Sequence, residues 1–308
     1  DKVLFDQTQG QLEFRAARAL LELDDKPCGA FLIVEFYDDV DDRLAALAAR
    51  KLGLRTTLVT DAVQMLQVWG LRKRGLSLLS GCKGPAKPIA GVEDVAVRPE
   101  RLPEYVAAVK VCAEPLGLEM SFYGHAASGL LHVRPVVNLH VGDSIRRYRE
   151  LAIEISRVTK EFKGSLTGEH GVGVARAEFM TEHLGEDLLK VMREIRAFFD
   201  PKGLMNPGKV FPEGGHRIDT NLRFGDGYSI PVPFTPVLGF VGKDGSFIGN
   251  LEQCNGCGDC RKEPPTMCPT FTATGDEIMC TRGRANTIRA VLDGRIKADN
   301  PLLSKELD

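Results

Sequence analysis

Residues 118–140 read LEMSFYGHAASGLLHVRPVVNLH. Two runs rich in apolar and β-branched residues, LEMSFYGH (118–125) and LLHVRPVVNLH (130–140), flank Ala126, Ala127, Ser128 and Gly129. A break of small residues between two such runs reads as a hairpin turn. On one continuous strand His125 and His132, seven residues apart, would face opposite sides of the sheet. Across a turn they can meet.

Outward from this hairpin, the first 210 residues alternate strand-like and helix-like patterns. GAFLIVEF (29–36) and RTTLVT (55–60) read as strands around the helical DDRLAALAARKLG, and VEDVAV (92–97) as a third strand before the helix ERLPEYVAAVKVCAEPLG. This split βαβ rhythm predicts an α+β fold, a sheet with helices on one face, in preference to a Rossmann fold. Long helices follow at about 143–162 and 182–198. DPKGLMNPGKVFP (200–212), with three prolines and two glycines, ends a first domain at residues 1–212. Residues 213–249 are turn-rich and read as a linker or extended arm, and 250–308 form a small second unit with a final helix near 281–294.

The chain has 308 residues and is 43% hydrophobic, enough for a sizeable core. Lys and Arg number 40 against 42 Asp and Glu, a formal charge of -2, so no global field draws in nucleic acid or an anionic membrane. No apolar run approaches the roughly 20 residues of a membrane span, and the charged first residues are unlike a signal peptide. A cytoplasmic location is expected, at most peripheral to the inner membrane face. The chain opens on Asp1 as if in mid-helix or mid-linker, so a fragment of a longer protein is expected.

Of eight cysteines, Cys28, Cys82 and Cys112 are scattered among apolar or helical neighbours and read as buried free thiols. The other five fall within residues 254–280. In CNGCGDCRKEPPTMCP, Cys254, Cys257 and Cys260 recur every third residue, and Gly256 and Gly258 let backbone N–H groups approach bound sulfide. This points to a [4Fe–4S] cluster, although the gap to Cys268 is seven residues where the bacterial ferredoxin run has three. Cys268 or Cys280 must close a cluster within this chain. Structural zinc is the rival, but no histidine lies beyond His216.

GSLTGEHGVG (164–173) sets Glu169 and His170 among four glycines. Two imidazoles, His125 and His132, with the Glu169 carboxylate would leave a divalent metal with open positions, and His170 beside them could act as a general base. For each histidine taken alone, a hydrogen-bonded structural role remains the alternative.

GEHGVG, DPKGLMNPGKVF and the histidine hairpin together resemble the C-terminal half of FAD-linked oxidases of the vanillyl-alcohol oxidase superfamily, over about residues 28–212. Relatives in that family are D-lactate, glycolate and D-2-hydroxyglutarate dehydrogenases. CNGCGDCRK, TMCP and TRGRAN are similar to a bacterial subfamily in which this flavoprotein is fused to a ferredoxin-like iron–sulfur region. The resemblance implies a ferredoxin-like antiparallel sheet followed by a partial iron–sulfur domain. It implies an FAD-binding domain and a further iron–sulfur region outside this chain, with FAD bound mainly by the former. His125, His132 and Glu169 would be ligands of zinc or manganese, and His170 the base that removes the substrate hydroxyl proton. Hydride would pass to the flavin, and electrons would leave through a cluster held by Cys254, Cys257, Cys260 and Cys268 to an electron carrier. Arg72, with Lys87 as partner, would bind the substrate carboxylate, and Asn206 and Gly208 would lie beside the flavin. The family hairpin GHxGDGNxHxN is altered here to Ala127, Ser128, Leu130 and Arg134. Arg134 suggests a second substrate carboxylate, hence D-2-hydroxyglutarate over D-lactate. The competing reading is an electron-transfer or scaffold iron–sulfur protein with a non-catalytic flavoprotein-like domain.

Overall fold

The computed structural model describes residues 1–262, 268–301 and 303. The chain divides into two compact units, Asp1–Ser80 with Ser121–Tyr123, and Gly81–Met120 with Gly124–Asp308. The domain boundaries expected at 212 and 249 both fall inside the second.

The first unit carries helices α1 (Lys2–Asp6), α2 (Arg15–Leu20), α3 (Val40–Ala49), α4 (Ala62–Lys73) and α5 (Gly75–Ser80). Phe5, Phe14, Leu23 and Leu71 form its core, with Leu21, Cys28, Phe31 and Leu78 packed around them. Arg18 is buried beside this core because its guanidinium donates to the Phe5 carbonyl at 2.6 Å and the Thr8 hydroxyl at 2.8 Å and pairs with Asp24. Residues 29–36 and 55–60, expected as strands, form none among the described residues. Alternation shows in burial only at the start of the first, where Phe31 and Ile33 are half-buried while Leu32 is 79% exposed. An apolar alternation reports which side is covered, but a strand exists only where a neighbouring backbone accepts its ladder, and these segments lack one.

In the second unit β1 (Ala86–Pro88) and β2 (Val95–Ala96) pair antiparallel with β4 (Leu130–Asn138), Lys87 opposite Val137 and Val95 opposite Leu131. The hairpin strand β3 (Met120–His125) also pairs with β4. Ile89 donates to the Pro135 carbonyl, whereas Val136 donates to the Glu119 carbonyl. Successive residues of a strand direct their backbone groups to opposite edges, so β1 and β3 flank β4. The expected turn is present as a single 3-10 turn, Ala126–Ser128, closed by Gly129 at φ 70°. A Cβ on Gly129 would lie 1.8 Å from the Val97 carbonyl oxygen, so the turn and the end of β2 touch only because this residue has no side chain.

Helices α6 (Leu102–Ala113), α7 (Gly142–Glu161) and α8 (Met180–Phe199) follow the sequence reading closely. The buried residues of α7, Tyr148, Leu151, Ala152, Ile155 and Val158, recur every three or four positions and form one apolar stripe. Against α6 this stripe is completed by Tyr105, whose hydroxyl meets that of Thr159 at 2.8 Å and whose ring meets Phe162 edge-on at 5.4 Å. Burying each Leu or Ile of the stripe contributes about 1.5–3 kcal/mol. One departure is a kink in α8 at Gly185, φ 75°.

Between Gly215 and Gly239 the chain forms no helix or strand, and this segment is fastened to the helices. Glu178 accepts the Ile218 N–H at 2.7 Å, Arg149 bridges Glu178 and Asp219, and Asp226 accepts the Gly142 N–H at 2.9 Å. Short helices α9 (Phe240–Asp244), α10 (Phe247–Leu251) and α11 (Pro269–Thr274) precede α12 (Thr281–Leu292). Cys28, Cys82 and Cys112 are free thiols, half-buried where full burial was expected. No helix among the described residues is long and apolar enough to cross a membrane.

Candidate functional site

The β2–β4 register, continued by one residue, sets Asp94 opposite His132. Asp94 is fully buried, with φ 70°. Its carboxylate accepts the N–H groups of Gly168, Glu169 and His170 at 3.1, 3.0 and 2.8 Å and the Thr167 hydroxyl at 3.0 Å. Burial opposes its charge, but the backbone N–H groups of His170 and Glu169 outweigh that and hold the carboxyl below the usual range. The glycine-rich loop is thereby wrapped around one anion. Arg176 joins the same parts from behind, donating to the Gly171 carbonyl at 2.9 Å and the Glu93 carbonyl at 2.8 Å.

This frame converges the predicted side chains. His132 Nε2 lies 3.1 Å from one Glu169 carboxylate oxygen, His170 Nε2 lies 3.5 Å from the same oxygen, and His125 Nε2 lies 3.9 Å from the other. The rings of His132 and His170 stack at 5.0 Å. Ligand atoms of Asp94, His132, Glu169 and His170 all lie within 4.8 Å of one another, a donor set of imidazole and carboxylate suited to a borderline divalent cation. Burial, reinforced by His170, pushes His132 down to about 4, so at neutral pH it is an unprotonated imidazole. His170 is more open; its Nδ1 faces Glu93 at 3.7 Å and Asp94 at 3.9 Å.

The other predicted residues fare differently. Arg134, expected to meet a substrate carboxylate, forms a buried ion pair with Glu93 at 2.5 Å. Lys87 is not brought to the histidines: it lies opposite Val137, about 17 Å along β4 from His132 and on the other face. Its ammonium donates to the Cys82 carbonyl and to Gln253. Arg72 lies on α4 of the first unit with its guanidinium 5.5 Å over the Tyr123 ring. Asn206 and Gly208 form a turn at φ 49° and 72°, where a Cβ on Gly208 would approach His216 Nε2 at 3.3 Å. That turn leads to Val210, whose N–H bonds the Gly173 carbonyl at 2.9 Å and ties it to the end of the histidine loop. Sequence reading missed Glu93, Asp94 and Arg176. Two adjacent acids inside the valine run VEDVAV were the available signal.

In the cysteine segment Cys260, Cys268 and Cys280 are buried together with Phe271 against them, whereas Cys257 is exposed and Cys254 half-buried. Residues 263–267 of that motif lie outside the described residues. A group of buried thiols with further thiols nearby fits a thiophilic centre.

Over residues 5–210 the chain matches the family described as FAD linked oxidases, C-terminal domain. It is 31% identical to D-2-hydroxyglutarate dehydrogenase of Escherichia coli over 87% of this chain and 27% of that protein. It is 30% identical to D-2-hydroxyglutarate dehydrogenase of Pantoea ananatis over 100% of this chain and 31% of that protein. With D-lactate dehydrogenase of Archaeoglobus fulgidus the identity is 29% over 65% of this chain and 45% of that protein. The chain thus spans under a third of the length of the first two relatives.

Proposed function

We propose, from the premise that this chain belongs to the family of FAD linked oxidases, C-terminal domain, that it is the substrate-binding part of an FAD-linked D-2-hydroxy-acid dehydrogenase. The observation that carries this reading is the convergence of His132, Glu169 and His170 on the buried Asp94. When bound, FAD supplies the acceptor for the substrate hydride, and zinc or manganese supplies positive charge at the substrate hydroxyl and carboxylate oxygens.

His125, His132 and Glu169 would hold the metal, and burial keeps His132 unprotonated for that role. His170 takes the hydroxyl proton at Nε2, the nitrogen on the Glu169 side, while Nδ1 faces the Glu93 and Asp94 carboxylates at 3.7 and 3.9 Å. Arg134 pairs with the Glu93 carboxylate. Arg72 remains a proposed contact of the substrate carboxylate, and Asn206 and Gly208 of the flavin, whereas Lys87, on the other face of β4, is dropped from the substrate contacts. D-2-hydroxyglutarate is the proposed substrate over D-lactate, a choice supported by the names of the more similar relatives. A [4Fe–4S] cluster held in the cysteine segment would supply an exit for electrons to a carrier, with the FAD-binding domain and a further iron–sulfur region supplied outside residues 1–308, in the cytoplasm.

The test is metal analysis of this chain combined with turnover of the FAD-loaded protein that contains it. His132→Ala is expected to abolish divalent metal binding, and His170→Asn to lower kcat about 10²–10⁴-fold with metal content unchanged. Iron without any divalent metal, and turnover indifferent to His170, would instead support the electron-transfer scaffold.

A further inference from the structure

We infer that Cys280 is a ligand of the iron–sulfur centre, grouped with Cys260 and Cys268 in place of a set confined to Cys254–Cys268. The inference rests on the cluster reading above. Its ground is that Cys260, Cys268 and Cys280, although 20 residues separate the first from the last, are 7%, 1% and 0% exposed and pack on one another.

The plain alternative is three thiols acting as small core residues. Polar groups aimed at their sulfurs argue against it. The Gly283 N–H donates to Cys280 Sγ at 3.2 Å, and the Arg284 guanidinium approaches Cys268 Sγ at 3.5 Å. Arg282 donates to the Gly256 carbonyl at 2.8 Å, binding the loop between Cys254 and Cys257 to the start of α12. A neutral thiol core gains little from guanidinium groups at its sulfurs. Thiolates bonded to iron gain much, because hydrogen bonds to sulfur and nearby positive charge stabilise the anionic centre.

Cys280 is also the N-cap of the 12-residue α12, where its sulfur takes the place of a capping acceptor for the first N–H groups of the helix. As each sulfur bonds iron, its thiol proton passes to solvent. Cys257, which is exposed, or Cys254 completes the four.

The test uses this chain purified without oxygen, read by iron and acid-labile sulfide content, visible absorption and the electron paramagnetic resonance of the reduced protein. Cys280→Ser and Cys280→Asn both retain an N-cap acceptor for Gly283, so α12 keeps its start while the thiolate is lost. Circular dichroism verifies the fold, and Cys112→Ser serves as a half-buried control thiol. Both Cys280 variants are expected to lose most of their iron and sulfide, or to retain iron with an altered resonance, while Cys112→Ser matches the parent. If the parent holds a cluster and both variants keep its iron, sulfide and resonance unchanged, Cys280 is not a ligand and only this inference falls. A parent chain that binds no iron removes the cluster reading itself, and this inference with it.

Discussion

The histidine and cysteine regions assemble potential ligands in opposite ways. At the first, Glu169 and His170 are set by main-chain N–H groups that converge on Asp94, and His132 lies on the central strand. At the second, the sulfurs come from a loop, the start of α11 and the cap of α12, with Cys257 exposed and Cys254 half-buried. A site held by backbone bonds is formed before its cation arrives. A site held by its own donors gains much of its order from the metal, so that binding free energy becomes folding free energy.

The sharpest way to break this contrast lies at the buried pair beneath the histidines. Arg134→Ala should destabilise the chain by about 3–5 kcal/mol in chemical denaturation, because it strands the Glu93 carboxylate in a buried site. The double variant Glu93→Gln/Arg134→Met should recover most of that loss. A single variant no worse than a surface substitution would mean that the pair does not underpin the site.

Next in size, Asp94→Asn exchanges one acceptor oxygen for an NH2 facing the loop N–H groups. Divalent metal affinity, followed by calorimetric titration, should weaken about 10–100-fold, with iron content unchanged. Chelation sharpens the contrast further. Removing the divalent metal should leave amide exchange at Gly168–His170 nearly unchanged, whereas removing iron should speed exchange at Gly283 by about tenfold or more. Equal responses at both places would erase the distinction.

The smallest effect supplies a background for the others. Burial lowers His183 below the ordinary imidazole value of 6.5, and Ser156 shares a hydrogen bond with its Nε2 at 3.0 Å. Below pH 6.5 the unfolded chain therefore takes up a proton that the folded chain resists, so stability should fall as pH drops and level off below the folded value. His183→Gln should flatten that slope in denaturation midpoints measured between pH 7 and 5.

The hairpin, α6, α7, α8 and the meeting of His125, His132, Glu169 and His170 were legible because each has a local signature. These are an apolar period, a break of small residues, and glycines around the reactive side chains. The strands expected at 29–36 and 55–60 were not, since alternation carries no information about whether a partner edge exists. Arg134 and Lys87 were read as substrate groups for a related reason. A cation in a sequence announces its charge, but Glu93 and Gln253, which engage them, are 41 and 166 residues away. Asp94 was hidden in the same way.

That distance has a temporal side. Asp94 and the His170 N–H that it accepts are 76 residues apart, and α6 and α7 both lie between them in the chain. A contact of such long range closes only after the intervening helices have packed. During synthesis Glu169 and His170 emerge after Asp94 and His132, so the proposed cation site would be complete only once the chain has grown past them and closed this contact.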